Sequence, residues 1–315
     1  MRVHRDLRRL PPEAKGCAVA IGNFDGVHRG HRAVVEAARE LAAGAAGMAV
    51  LTFEPHPKEV VSPAEAPRRL TPLRRKIELL RELGCDRLFL VRFDRALMAM
   101  PAAEFAEEVL VRRLAVRALS CGEGFRFGHK RQGDVALLAA IGAAHGFAFR
   151  PMPPLLDDGS PCSSTRIRAA LDAGDLDVAN RLLGYPFTIS GLVRGGDQRG
   201  RTIGFPTANI APNVERHALP AMGVYAVRAG HRTHTGTVWY PGVANLGRRP
   251  TFDGDTTLLE VHLLDVQPDL YGERLDVAFL ERLRGEAKFS GIDALKAQIA
   301  CDCNEARRVH GLIHT

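Results

Sequence analysis

The chain has no apolar run of membrane-spanning length, and its opening Met1-Arg2-Val3-His4-Arg5-Asp6 leads into no signal-peptide core. No membrane partner is expected, and the cytoplasm is the expected compartment. Cysteine is sparse: the six residues at 17, 85, 121, 162, 301 and 303 form no Cys-x-x-Cys pair. Cys17 and Cys121 fall in or beside predicted core strands, which suits reduced, buried thiols. Cys301-Asp-Cys303 has no neighbouring residues to complete a metal or redox site. Aromatics are only 6% of the chain, and its basic residues, mostly arginine, are scattered. An RNA-binding module concentrates basic charge in a stripe with exposed aromatics, so no nucleic-acid partner is expected. The net charge of +7 and pI near 9.3 fit phosphate-rich small ligands equally well.

What is present is an ordinary globular composition, 46% apolar and 25% charged over 315 residues, enough for two domains with their own cores. Cys17–Ile21, Gly47–Phe53, Arg87–Phe93, Val116–Cys121 and Ala148–Met152 read as short strands. Helices alternate with them: Arg32–Ala43, one opened by Thr71-Pro72 and stopped by Gly84, Ala103–Leu114 and Asp134–Ala144. That alternation predicts an α/β fold, a Rossmann-like parallel sheet covered on both faces. A helix at Ser164–Ala173 is closed by Gly174. After Gly184-Tyr185-Pro186 the pattern becomes β-rich. Phe187–Val193, Val224–Ala229, Thr235–Val243, Leu258–Val266 and Arg274–Phe279 predict a small antiparallel barrel, and Gly291–Val309 a C-terminal helix. The boundary is placed near Leu183, giving domains 1–183 and 184–315.

The densest stretch is Gly22-Asn23-Phe24-Asp25-Gly26-Val27-His28-Arg29-Gly30-His31, between the first strand and the first helix. Its glycines allow close backbone approach, and the helix N-terminus offers free N–H groups and positive dipole to an anion. His28 and His31 are placed to turn imidazole N–H groups toward one phosphate; a βα turn with two surface histidines is the plainer reading. Three further segments fall at carboxyl ends of strands or at a helix start. His56, in Thr52-Phe53-Glu54-Pro55-His56-Pro57, reads by itself as a turn residue between prolines. Phe125 and Phe127, in Gly122-Glu123-Gly124-Phe125-Arg126-Phe127-Gly128, suit either a core or a planar ring. Ser163-Ser164-Thr165-Arg166-Ile167-Arg168 supplies hydroxyls, N–H groups and guanidinium to an anion, or plain N-capping.

The first run resembles the His-x-Gly-His motif of the nucleotidylyltransferases and, in its full length, that of the bacterial FAD synthetases. The other three segments resemble theirs in the same order. The resemblance implies that an FMN phosphate oxygen attacks the α-phosphorus of ATP and pyrophosphate leaves, so alignment and charge neutralisation are the enzyme's task. It assigns His28 and His31 to catalysis at the ATP phosphates, and Gly22, Asn23 and Asp25 to the phosphate turn. Ser164, Thr165 and Arg168 fall on the pyrophosphate side, and His56, Phe125 and Phe127 at the flavin. Gly124 departs from the Asp or Asn usual at that place, so a polar contact there is lost or supplied by a neighbour.

A second dense stretch runs from Gly195 to Asn209. It lacks the Gly-Lys-Ser/Thr ending of a Walker loop. Gly200-Arg201-Thr202-Ile203-Gly204-Phe205-Pro206-Thr207-Ala208-Asn209 resembles the bacterial riboflavin kinases, as do Ala244-Asn245-Leu246-Gly247, Glu260-Val261-His262 and Lys288-Phe289. By that resemblance Gly200, Arg201 and Gly204 bind ATP phosphates, Thr207 and Asn209 hold Mg²⁺, and Glu260 takes the proton of riboflavin's 5′-OH. Alone, Glu260 reads as a solvent-facing strand carboxylate. The expected ligands are riboflavin, FMN, FAD and ATP. A nucleotidylyltransferase of other specificity and a basic RNA-binding protein are the competing readings, and the sequence leaves the oligomeric state open.

Overall fold

Four apolar segments whose residues are almost all buried (Ala18–Ile21, Met48–Glu54, Arg87–Arg92 and Ala118–Gly122) force a sheet covered on both faces. In the computed structural model, which describes residues 1–195, 202–214, 216–234, 236–251 and 254–312, they are joined by Arg2–His4 and Ala148–Met152. Numbered along the chain these are β1 (Arg2–His4), β2 (Ala18–Ile21), β3 (Met48–Glu54), β4 (Arg87–Arg92), β5 (Ala118–Gly122) and β6 (Ala148–Met152). All pair in parallel, in the order β1-β4-β3-β2-β5-β6. The chain runs outward from β2 to β4 on one side and from β5 to β6 on the other. The order therefore reverses between β2 and β5, where ligands of such sheets bind outside the carboxyl ends.

The helices of this unit are α1 (Arg29–Glu40), α2 (Pro57–Val61), α3 (Leu73–Glu82), α4 (Arg95–Ala99), α5 (Ala102–Phe105) and α6 (Val135–His145). α5 continues as π-helical backbone over Ala106–Arg113, and its Phe105, Val109 and Leu114 are buried as the periodicity predicts. α1 starts three residues before the expected Arg32, because His28 itself caps it. Thr71 is not the N-cap of α3 that the sequence pattern predicts. Pro72 takes that place without a side-chain bond, and Thr71 bonds the turn after β2 instead.

The chain divides into two compact units, Met1–Ser164 and Thr165–Thr315. After the short pair β7 (Leu156–Asp157) and β8 (Ser160–Pro161), α7 (Ser164–Ala173) leads into α8 (Leu176–Leu183). The second unit is built on a closed barrel of β9 (Thr188–Arg194), β10 (Ala208–Ile210), β11 (Gly223–Thr233), β12 (Gly236–Thr251), β13 (Gly254–Leu263) and β14 (Arg274–Arg284). Its order is β10-β13-β12-β11-β14-β9, antiparallel throughout. α9 (Ile292–Val309) packs Cys303 and Ala306 on the barrel's outer apolar face beside Val224, Ala226 and Val243. α8 belongs to this unit: Asn180 donates to Phe279 O and accepts from Phe187 N, and Leu182 and Leu183 are fully buried.

Candidate active sites

In the first unit the turn after β2 is held from three sides. The buried Asp25 carboxylate accepts from Leu70 N and Thr71 N at 3.0–3.1 Å, and Thr71 Oγ1 accepts from Gly26 N at 3.0 Å. Ser164 Oγ donates to Asp25 O at 2.8 Å. Thr52 Oγ1 and Lys76 Nζ both donate to Asn23 O, at 3.0 and 2.8 Å. Phe24 and Val27 sit at positive φ (49° and 38°), a conformation that side chains adopt only where surrounding bonds fix it.

That turn delivers His28 to the N-terminus of α1. Its Nδ1 accepts from His31 N at 3.3 Å, which puts the ring proton of that tautomer on Nε2. The two imidazoles stack with centroids 3.6 Å apart. Burial, then His28 and Lys76, hold His31 well below the usual imidazole range, and its Nδ1 finds no hydrogen-bond partner among the described residues. Gly30 is tightly enclosed: a Cβ there would lie 3.1 Å from Cys162 O and 3.2 Å from the His28 ring. An imidazole pair at a helix N-terminus is an arrangement chemically able to receive an anion.

Beside this turn lies a cavity of about 740 Å³ whose walls include Asn23, His56, Gly124, Phe125 and Phe127. Phe125 and Phe127 are stacked at 5.7 Å. His56 caps α2 through Nδ1, which accepts from Lys58 N at 3.2 Å, and burial pushes its pKa down to about 4. The structure thus brings Asn23 and the three residues expected at the flavin to one cavity, next to the stacked histidines. Thr165 and Arg168 follow Ser164 on α7, within the second unit.

In the barrel, Glu260 is paired with Asn209 across β10 and with Asn245 across β12. Leu259, Val261 and Leu263 are buried, whereas Glu260 and His262 alternate with them and line a groove of about 460 Å³ with Thr207, Phe289 and the Arg284–Asp302 ion pair. His262 Nδ1 contacts Pro206 O at 2.8 Å, which fastens the segment carrying Thr207. A second cavity, about 370 Å³, lies beside Thr207, Asn209, Asp269 and Tyr271. Thr207 lines both. Gly204 has φ 93°, a left-handed position that favours glycine. Gly200 and Arg201 lie outside the described residues.

Two family models match the chain, FAD synthetase over residues 10–166 and riboflavin kinase over residues 183–310. The bifunctional riboflavin kinase/FMN adenylyltransferase of Escherichia coli (strain K12) is 45% identical over 308 residues, 98% of this chain and 96% of that protein. The chain belongs to the bifunctional riboflavin kinase/FMN adenylyltransferase family. The family member from Bacillus subtilis (strain 168) is 37% identical over 305 residues, 95% of this chain and 94% of its own. A solved structure described as a macrolide-efflux protein from Streptococcus pneumoniae matches with TM-score 0.84 at 29% identity, over 97% of this chain and 98% of that one. Both halves of the family are present in the expected order. No helix among the described residues is long and apolar enough to cross a membrane.

Sequence reasoning missed three residues of the first site. Thr71, which the pattern offers as a helix cap, bonds Gly26 N, Cys162 places its Sγ 3.7 Å from His28 Nδ1, and Lys76 is a buried lysine against the turn. The first two carry no local signal, because their partners are 45 or more residues away in the chain.

Proposed function

We propose that this riboflavin kinase/FMN adenylyltransferase runs its two reactions at two separate sites, one in each domain, with the functional division near Leu183. In the first, FMN lies in the cavity of Phe125, Phe127 and His56, and its phosphate oxygen attacks the α-phosphorus of ATP. The nucleophile is already an anion, so no base is required. His28 and His31 receive the ATP phosphates with Gly22, Asn23 and Asp25 shaping the turn, and Ser164, Thr165 and Arg168 serve the departing pyrophosphate. The observation that carries this reading is the His28–His31 stack, fixed at the N-terminus of α1 beside a cavity with an aromatic wall.

In the second, riboflavin occupies the groove of Glu260 and Phe289 and ATP the neighbouring cavity, so that Thr207, common to both, marks the path of the γ-phosphoryl group. Glu260 accepts the 5′-OH proton as that oxygen attacks phosphorus and ADP leaves. Gly200, Arg201 and Gly204 belong to the phosphate loop of this site. Mg²⁺ fits here: Thr207 and Asn209 offer oxygen donors, and the described residues hold no cluster of three His, Cys, Asp or Glu side chains. Such a pair suits an ion completed by substrate phosphates and water. Bound there, it would neutralise triphosphate charge. The cytoplasm is the proposed compartment, supported by the ATP requirement and by buried cysteines at 17, 85, 121 and 303 that form no disulfide. Incubation with riboflavin, ATP and Mg²⁺ tests the whole reading. FMN should appear first and FAD after it, and absence of either product removes the corresponding site.

A further inference from the structure

Lys76 is 1% exposed, a lysine on the same buried face of α3 as Leu79 and Leu80. Its ammonium has one acceptor among the described residues, the carbonyl oxygen of Asn23 at 2.8 Å. A methionine would bury the same stem without desolvating a charge, so this lysine costs stability where it stands. It stands directly against the phosphate turn. A charge kept at such cost beside a site is the mark of function rather than of packing.

We propose that Lys76 is a positioning residue of adenylyl transfer, holding the Asn23 carbonyl and with it the turn that presents His28 and His31. The proposal rests on the reading of that turn as the adenylyl-transfer site. Lys76 shares the Asn23 oxygen with Thr52 Oγ1, so two donors from β3 and α3 fix one peptide at the entrance of the cradle. A carbonyl turned instead toward the triphosphate would repel it. The charged groups around Lys76 are Asp25 from the turn, Glu54 from the end of β3, and Arg69 and Glu59 nearby. His31 on α1 and His56 at the start of α2 also feel its charge. Burial outweighs the carboxylates and pushes Lys76 down to about 8. Asp25 keeps its own donors, Leu70 N and Thr71 N, so removing the ammonium leaves no carboxylate unsatisfied.

The test uses the full chain, whose kinase activity serves as an internal control. For the wild type, kcat/KM of FAD formation with respect to ATP should fall above pH 8. The kcat should fall less, because bound triphosphate holds the proton on Lys76. Riboflavin phosphorylation should show no matching limb. Lys76→Met should lower FAD formation about 10–100-fold, the scale of a misplaced positioning group. It should also lose the alkaline limb, keep FMN formation within about twofold and unfold at no lower temperature. A wild-type profile flat from pH 7 to 9.5, or a Lys76→Met chain forming FAD within about threefold of wild type, overturns the proposal. Should Lys76→Met fail to fold, the wild-type profile decides alone, since a flat kcat/KM for FAD formation from pH 7 to 9.5 overturns the proposal without any variant. His28→Ala with His31→Ala separates the two levels: if FAD formation survives it, the site reading fails, and if only Lys76→Met is silent, the inference about Lys76 fails alone.

Discussion

Asn209 and Glu260 face each other across the β10–β13 ladder, and Asn245 flanks Glu260 from β12. Register, not sequence proximity, sets an amide on each side of the carboxylate, and closure of the barrel fixes that register. If Glu260 is the kinase base, Glu260→Gln should lower riboflavin phosphorylation about 10²–10⁴-fold and leave adenylylation of supplied FMN unchanged. A solvated strand-face carboxylate predicts less than about a threefold change and a stability change within about 0.5 kcal/mol. Steady-state FMN formation decides between them.

A fragment beginning at Thr165 should phosphorylate riboflavin and form no FAD. One beginning at Tyr185 should melt at a distinctly lower temperature, because it loses buried Leu176, Ala179, Leu182 and Leu183 and both hydrogen bonds of Asn180. Equal melting temperatures would show that α7 and α8 contribute nothing to the barrel's stability.

These elements also show what the chain discloses of itself. β2 to β6 are legible because each is a short apolar run between turn residues, and the first-site motif is legible because its residues are contiguous. β1 is not, since Arg2-Val3-His4 has one apolar residue and lies at the sheet edge beside β4. β10 is three residues long and follows a proline, so the segment reads as loop. α8 has its own signals, the Asp175 N-cap and Gly184 in the left-handed region, but it is short and the shift to β pattern begins just beyond, so the sequence reading has no helix there. Lys76 was illegible for a different reason: on a helix, lysine reads as surface until tertiary packing shows otherwise.

Gly124 lies on the wall of the cavity proposed for the flavin, and a Cβ there would meet nothing within 4 Å. Gly124→Asn should therefore fold without loss of stability. Its amide adds a polar contact to the cavity, so KM for FMN in FAD formation should fall severalfold, with the kinase unaffected. An unchanged or raised KM would mean that a neighbour such as Asn23 already supplies the contact.

Acid should weaken the first domain through His56. Its folded pKa lies near 4, below the unfolded value of 6.5. The unfolded chain therefore binds the proton first as pH falls, and the stability present above pH 6.5 is lost between 6.5 and 4. His31, also held low, adds to the same loss. His56→Asn keeps an N-cap acceptor for α2 but does not titrate. Calorimetry at pH 7 and 5 should show a smaller fall in the melting temperature of this variant than of the wild type. Equal falls would assign the loss to His31 and other groups.

The most direct measurement of two separate sites is a time course of flavin products from His28→Ala/His31→Ala, started with riboflavin, ATP and Mg²⁺. FMN should form at close to the wild-type rate and accumulate, with no FAD, because the barrel site is intact and the phosphate cradle at α1 is not. Continued formation of FAD, or loss of FMN and FAD together in a folded chain, would contradict the assignment of the two reactions to two sites.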